Sequence, residues 1–291
     1  MRLVSYSLDG QSGTGCLDAE DKVRDLTWLT GPGGMNALIE AAEDLLPRAR
    51  AALEQQRLPL VAGARLVAPV PQPVRNIFCA GKNYFAHAHE FHDSGFDSTG
   101  GEAVPEFPII FTKATTSVIG PGAPVPASSD PTASVDYEGE LAVVIGRGGR
   151  EIPRERALGH VFGYVIVNDI TSRELQKRHG QWVLGKGMDG FCPMGPWIAT
   201  PDETGPLDAL TLRTEVNGES RQEARIADLI FDVPALIAAI SERITLLPGD
   251  IIATGTAPGV GIGFTPPKYL KPGDRVAVTI DRLGRLENPI I

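Results

Sequence analysis

Short apolar runs separated by proline and glycine constrain the fold of this chain more than any other feature. The 291 residues include 33 glycines and 24 prolines. After residue 70 the runs rich in Val, Ile and Leu recur between turn-forming residues, while helical patterns are few. Such runs predict strands joined by short turns, and therefore a β-rich, mixed α+β body. The clearest runs are residues 77–80, 109–112, 140–145, 161–168, 210–216, 250–254 and 275–280.

The first 70 residues have a different pattern. A strand-like opening over residues 3–8 precedes a stretch over 36–56 in which apolar residues recur at helical spacing. Pro69, Pro71 and Pro73 then interrupt regular structure. We therefore predict a small N-terminal α+β domain, residues 1–70, joined to a larger domain, residues 71–291.

Two further helices are predicted in the larger domain. Residues 171–174 (Thr-Ser-Arg-Glu) have the spacing of a capping box and should start a helix that continues through Gln176. Residues 233–242 are rich in Ala, Leu and Ile, with Pro234 at a first-turn position that a helix tolerates.

Charge and composition exclude several classes of function. The formal net charge is −9 and no Lys/Arg cluster offsets it, so nucleic acid is not an expected partner. No apolar run approaches the roughly 18 residues of a membrane span, and the first residues lack the apolar core of a secretion signal. The three cysteines form no close-spaced pair, which fits a reducing compartment. These features predict a cytoplasmic protein with no membrane partner.

Three carboxylates stand out against buried strand patterns. Glu138 and Glu140 are two residues apart, so a strand would project both from one face. Asp169 follows the apolar run 161–168. Three acids without clustered Cys or His describe an oxygen-ligand site suited to Mg²⁺ or Mn²⁺. The alternative is an acidic pair on a solvated edge strand and an acid at a helix start, and the residues taken alone favour it.

Three of the five histidines fall within residues 87–92. His87 and Glu90 are three apart, so a helical turn would place them side by side, and a carboxylate orients an imidazole for general-base work. His89 and His92 are interpreted as bystanders. Residues 93–102 are polar and glycine-rich, the composition of a mobile loop. Two interpretations of this region stay equally open. It is either a catalytic pair on a closing lid or an exposed loop that carries histidines by accident.

The glycine-rich segment 253–263 follows an apolar strand but does not predict nucleotide binding. It lacks the Gly-Lys-Ser/Thr ending of a P-loop, and no helical pattern follows it. Two interpretations stay open. The loop could present backbone amides and the hydroxyls of Thr254 or Thr256 to a small anion, or it could be a structural turn.

Six short motifs occur along the chain in a recognisable order. They are GKNY at 81–84 followed by His87, DYEGE at 136–140, NDITSRELQ at 168–176, LGK at 184–186, LPGD at 247–250 and TGT at 254–256. Taken together, these motifs resemble the catalytic domain of the fumarylacetoacetate hydrolase family over residues 74–291. The first 70 residues resemble, more loosely, the small N-terminal domain of its bacterial two-domain members. One departure is Gly187, where many members carry Ser.

The resemblance implies a compact β-rich roll, usually a homodimer, with one Mg²⁺ or Mn²⁺ per subunit. It implies metal ligation by Glu138, Glu140 and Asp169. The remaining positions that match family site residues fall into three groups: the lid dyad His87 and Glu90, a lysine beside the metal at Lys186, and substrate or supporting contacts at Gln176, Thr256 and Arg173.

We expect hydrolysis of a carbon–carbon bond in a small 2,4-dioxo acid of the acylpyruvate type. In this hypothesis Glu90 orients His87, which deprotonates the attacking water, and Lys186 stabilises the enolate that leaves. The alternative on the same site is decarboxylation or keto–enol tautomerisation of an oxaloacetate-like 2-oxo acid. A protein that binds metal or metabolite without turnover is a third, less favoured hypothesis.

Overall fold

The computed structural model describes residues 1–97 and 102–291. In these residues it contains eight α-helices and seventeen strands. The helices are α1 Thr27–Thr30, α2 Gly34–Glu40, α3 Ala42–Glu54, α4 Phe85–Asp93, α5 Arg173–His179, α6 Val183–Lys186, α7 Pro201–Thr204 and α8 Val233–Arg243. The strands are β1 Arg2–Leu8, β2 Gln11–Leu17, β3 Val23–Asp25, β4 Arg65–Leu66, β5 Ile77–Gly81, β6 Ile109–Lys113, β7 Val118–Ile119, β8 Val135–Asp136, β9 Gly139–Ile145, β10 Val161–Asn168, β11 Thr171–Ser172, β12 Cys192–Ala199, β13 Thr211–Val216, β14 Glu219–Arg225, β15 Ile251–Ala253, β16 Arg275–Ile280 and β17 Gly284–Pro289.

The strands form a large sheet and two smaller ones. The large sheet has eleven strands, with the order β3-β2-β1-β12-β10-β9-β15-β5-β6 and with β4 and β7 pairing at β1 and β12. A four-stranded sheet has the order β14-β13-β16-β17, and β8 pairs with β11. The prediction of a sheet-rich α+β fold with few helices is confirmed.

The central strands of the large sheet are buried on both faces. In β9, Leu141 and Val143 pack into one core with the four-stranded sheet and α8, while Ala142 and Val144 pack into another with α2 and α3. Side chains of a strand alternate between faces, so a continuous apolar run fits this double burial. These buried strands give the acids at their ends a rigid support.

The N-terminal segment continues the large sheet. Strand β1 pairs antiparallel with β12, with Leu3 opposite Ile198. Leu3 and Leu38 also belong to the same apolar core as Val165 of β10. The division at residue 70 stays a prediction.

The helical stretch predicted over residues 36–56 is two helices rather than one. Helix α2 ends at Glu40 and α3 begins at Ala42, because Ala41 leaves helical geometry with φ −105° and ψ 30°. Helix α8 agrees with its prediction within one residue, and the Asp232 side chain accepts a hydrogen bond from the amide of Ala235 at its start.

The capping box predicted at residues 171–174 is absent. Thr171 and Ser172 form strand β11, and helix α5 begins at Arg173 without a side-chain cap from Ser172. The amide of Glu174 instead donates 3.0 Å to the hydroxyl of Ser134, which lies 40 residues away in the chain. The local spacing was right for a helix start, but a distant hydroxyl supplies the acceptor. No helix in the described part of the chain has both the length and the apolar character needed to cross a bilayer.

Candidate functional site

Three buried carboxylates meet where β9 begins and β10 ends. Glu138 immediately precedes β9, Glu140 lies within it, and Asp169 follows β10. Each offers an oxygen atom within 4.8 Å of the others, and all three side chains are buried. The amide of Asp169 donates 2.8 Å to the carbonyl of Glu138, so the two strand ends are held together. The structure thus brings the predicted acids into one cluster rather than onto a solvated edge.

Lys186 and Arg173 lie against this cluster. The Lys186 ammonium is 2.9 Å from Glu138 Oε2 and 2.7 Å from Asp169 Oδ2, and it donates 2.8 Å to the hydroxyl of Thr171. The Arg173 Nη1 is 2.6 Å from Glu138 Oε1. Both cations are buried. Burial by itself would lower the pKa of Lys186, but Asp169 and Glu138 outweigh it and hold that pKa above its ordinary value.

The two glutamates have opposite pKa shifts. Burial favours the neutral form of each acid. At Glu138 the nearby Lys186 and Arg173 overcome that burial and lower the pKa to about 2. At Glu140 burial and the charges of Asp169 and Glu138 raise the pKa well above its ordinary value. Glu140 is therefore the acid whose negative charge is least compensated.

The donor set fits a divalent metal ion. All three candidate ligands are carboxylates, which suit Mg²⁺ or Mn²⁺. Within the described ranges, Glu140 forms no ion pair with Lys or Arg, and its Oε2 accepts only the amide of Gly255, at 2.7 Å. A divalent cation among the three acids would supply the missing positive charge, so Glu138, Glu140 and Asp169 are the residues that would hold it.

His87 and Glu90 lie side by side on α4. The His87 Nδ1 is 3.1 Å from Glu90 Oε2, and Glu90 Oε1 accepts a hydrogen bond of 2.9 Å from the amide of Gly259. The His87 ring is buried, with its centroid 6.2 Å from that of Phe91. The predicted adjacency is therefore present, and the glycine-rich segment fixes the carboxylate.

The glycine-rich segment directs its backbone amides at carboxylates of the protein itself. In addition to the bonds to Glu140 and Glu90, the amides of Gly261 and Ile262 donate 2.6 and 3.1 Å to the two oxygens of Asp136. The hydroxyls of Thr254 and Thr256 donate to backbone carbonyls. The amides of this segment thus bind three side chains of the protein itself, as a structural turn would, and the substrate contact of Thr256 stays a prediction.

One pocket collects most of the predicted site residues. His87, Glu138, Arg173, Gln176, Lys186 and Thr256 all line it, together with aromatic side chains of Phe91, Phe111 and Trp182. Gln176 accepts 3.3 Å from Arg173 Nη1. The predicted lid loop over residues 93–102 is described only in part, because residues 98–101 lie outside the described residues. Its two described ends meet at Lys82, which donates 2.9 Å both to Asp97 Oδ2 and to the carbonyl of Glu102.

Two residues at this site were missed by reasoning from the sequence. Asp136 is buried and accepts 2.9 Å from Arg173 Nε, so it anchors the arginine that contacts Glu138. Lys113 is buried at the end of β6, with its ammonium 2.6 Å from Asp169 Oδ1. The only local signal for Lys113 is a lone charge that ends an apolar run. Asp136 lay within the DYEGE motif but was given no role.

The chain matches known proteins over almost its whole length. Residues 76–291 match the model of the fumarylacetoacetate (FAA) hydrolase C-terminal domain. Oxaloacetate tautomerase YisK of Bacillus subtilis (strain 168) is 45% identical over 297 residues, which covers 99% of this chain and 95% of that protein.

Solved structures agree with these sequence matches. The fumarylacetoacetate hydrolase of psychrophilic Exiguobacterium antarcticum superposes with a TM-score of 0.86 at 37% identity, covering 100% of this chain and 99% of that one. The maleylpyruvate hydrolase of Sphingobium sp. SYK-6, solved with manganese(II) and pyruvate, gives 0.80 at 33% identity with the same coverage. Both the matched domain and the full-length relatives lead to one conclusion: the chain belongs to the fumarylacetoacetate hydrolase family.

Proposed function

We propose that this protein is a divalent-metal-dependent enzyme that interconverts the keto and enol forms of an oxaloacetate-type 2-oxo acid. The observation that carries the proposal is the convergence, in one pocket, of a carboxylate-oriented imidazole with a partly neutralised acid cluster. The reaction is chosen because an oxaloacetate tautomerase is 45% identical over 99% of this chain.

The charge of the cluster supports binding of an anionic substrate. Glu138, Glu140, Asp169 and Asp136 face Lys113, Lys186 and Arg173, so four carboxylates oppose three cations. When bound, a divalent cation would reverse the sign of this residual charge and polarise the 2-oxo group of the substrate. Mg²⁺ and Mn²⁺ are both suitable, and the manganese in the maleylpyruvate hydrolase structure favours testing Mn²⁺ first.

His87 is proposed to move the proton at carbon 3 of the substrate. Its Nδ1 faces Glu90, so Nδ1 carries the hydrogen and Nε2 keeps a lone pair. In the keto-to-enol direction Nε2 takes a proton from C3, the C–H electrons form the C2=C3 double bond, and the carbonyl electrons move onto the oxygen at C2. Lys186 stabilises the developing negative charge on that oxygen through its own positive charge, since its three N–H donors already bond Glu138, Asp169 and Thr171. The proton that His87 took from C3 then passes to the oxygen, directly or through water, which completes the enol and restores the neutral imidazole; the reverse sequence regenerates the ketone.

A second candidate is hydrolysis of a 2,4-dioxo acid, and the maleylpyruvate hydrolase with bound pyruvate favours it. Here His87 takes a proton from water, the hydroxide adds to the distal carbonyl, and the C3–C4 bond breaks. The enolate of pyruvate then collects a proton at C3. Both reactions pass through an enolate at the same place, so the residues of the pocket serve either.

A substrate panel separates the two. The metal-stripped protein is incubated with oxaloacetate, maleylpyruvate and simple acylpyruvates, with and without Mn²⁺, while the enol absorbance is followed and products are identified by mass. We expect metal-dependent relaxation of the oxaloacetate keto–enol mixture without cleavage. Pyruvate plus a carboxylic acid would establish hydrolysis instead, and no metal-dependent turnover of any substrate would refute both.

Two variants of helix α4 test the role of His87 directly. His87→Gln should reduce tautomerisation by about 10²- to 10⁴-fold, the usual contribution of a general base. His89→Gln is the matched control, because His89 is exposed on the same helix. Equal activity of both variants would remove His87 from the mechanism.

We also propose a homodimer in the cytoplasm. Family resemblance supports the dimer, and the three free, buried cysteines agree with a reducing compartment. Size-exclusion chromatography with light scattering tests the dimer, since a single monomeric mass at micromolar concentration would contradict it.

A further inference from the structure

Lys113 is a buried lysine at the edge of the acid cluster. It is the last residue of β6, and its side chain is 1% exposed. The ammonium bonds three acceptors: Asp169 Oδ1 at 2.6 Å, the carbonyl of Ile170 at 3.0 Å and the carbonyl of Lys186. Since an ammonium has three donors, all of them are used.

These three acceptors belong to the two halves of the candidate site. Asp169 and Ile170 follow β10, whereas Lys186 ends helix α6. The Lys186 ammonium bonds the other oxygen of Asp169, Oδ2, at 2.7 Å. Lys113 thus bonds both Asp169 Oδ1 and the backbone carbonyl of Lys186, and the side chain of Lys186 in turn bonds Asp169 Oδ2. Each oxygen of this carboxylate has a cationic partner that fixes its direction.

Fold stability alone is a weak reason for such a lysine. Taking an ammonium out of water is costly, and buried ion pairs can often be replaced by apolar groups at little or no loss of stability. Groups that hydrogen-bond a metal ligand, in contrast, orient that ligand, and their loss typically weakens metal binding 10- to 100-fold. The contacts of Lys113 are of this second kind.

We propose that Lys113 is a positioning residue that sets both the affinity and the selectivity of the metal site through Asp169. This inference rests on the proposed metal site but not on the reaction catalysed there. With both oxygens of Asp169 held, the carboxylate offers an ion a fixed direction, which suits the near-ideal octahedral geometry that Mg²⁺ demands and that Mn²⁺ commonly adopts. Ca²⁺ accepts flexible and two-oxygen carboxylate coordination, so fixing the Asp169 carboxylate should increase the Ca²⁺ affinity least.

The test measures metal binding without substrate. Mn²⁺ binding to metal-stripped protein is followed by electron paramagnetic resonance, and Ca²⁺ is measured by competition. Lys113→Met should weaken Mn²⁺ binding at least about tenfold. It should weaken Ca²⁺ binding less, so that the ratio of the Mn²⁺ affinity to the Ca²⁺ affinity falls.

Lys82→Met is the matched control. It removes the same charge from another buried lysine, whose ammonium bonds Asp97 Oδ2 and the carbonyl of Glu102. It should leave Mn²⁺ affinity within about twofold of the wild type, whereas an equal loss in both variants would mean that charge alone matters. Lys113→Gln, which keeps a polar donor, is a second variant in case Lys113→Met fails to fold, as checked by circular dichroism.

The outcomes separate this inference from the proposed function. If the wild type binds no Mn²⁺, the metal site itself is refuted. If the wild type binds Mn²⁺ and a folded Lys113 variant binds it equally or more tightly, or with an unchanged preference over Ca²⁺, Lys113 does not position Asp169.

Discussion

A single methyl group placed at Gly263 should disable the His87–Glu90 pair without touching the acid cluster. Gly263 ends the 3₁₀ turn Gly261–Gly263, which packs against α4. A β-carbon at this position would lie 1.9 Å from Glu90 Oε1 and 2.5 Å from its Cδ. Ordinary contact begins at 3.4 Å, so the Gly263→Ala substitution requires the Glu90 carboxylate to move by about 1.5 Å.

That displacement breaks the two hydrogen bonds that define the pair. Glu90 would lose the 2.9 Å bond from the Gly259 amide and its 3.1 Å contact with His87. Misplacement of a catalytic group by about 1 Å can cost on the order of 10²-fold in rate. We therefore expect Gly263→Ala to lower kcat by about 10²-fold. Because a flexible side chain can move aside, the stability cost should be about 1 kcal/mol, the low end for overpacking.

The assay is the metal-dependent relaxation of oxaloacetate, with Mn²⁺ affinity measured in parallel and expected to be unchanged. Gly159→Ala is the control, because a β-carbon there meets no atom within 4 Å. In a Glu90→Ala background the clash disappears, so Gly263→Ala should add no further loss. Full activity of Gly263→Ala, or an equal loss in both backgrounds, would refute the reasoning.

Two further predictions concern buried acids. Asp136→Asn removes a charge that faces Arg173 at 2.9 Å in a fully buried pair, so it should destabilise the protein by about 3 kcal/mol, measured by urea unfolding; a change below about 1 kcal/mol would contradict this. In the metal-free protein the pKa of Glu140 is raised above 4.5, its value in the unfolded chain. The protonated Glu140 side chain therefore contributes to stability below pH 4.5, and this contribution is lost as the pH rises through the raised pKa. Glu138, whose pKa is lowered to about 2, changes the stability only below pH 4.5, its unfolded pKa. Thermal unfolding from about pH 5 to about pH 8 should therefore show a falling Tm without metal and a smaller fall with Mn²⁺; parallel curves would show that Glu140 does not face the ion.

The sequence by itself determined the features that depend on short-range spacing. Alternating burial along β9 follows from a continuous apolar run, and the His87–Glu90 contact follows from three-residue spacing on a helix. The acids Glu138, Glu140 and Asp169 could be proposed as one cluster because they lie at the ends of neighbouring buried strands. Spacing of this kind fixes which side chains share a face, whatever the rest of the chain does.

Only the tertiary structure decided which distant groups complete the site. Lys113 reaches Asp169 across 56 residues, and the amide of Gly261 reaches Asp136 across 125. The start of α5 takes its acceptor from Ser134 rather than from the local capping pattern. Buried polar groups need partners wherever the fold provides them, and those partners are set by how the sheets pack, which local spacing does not encode.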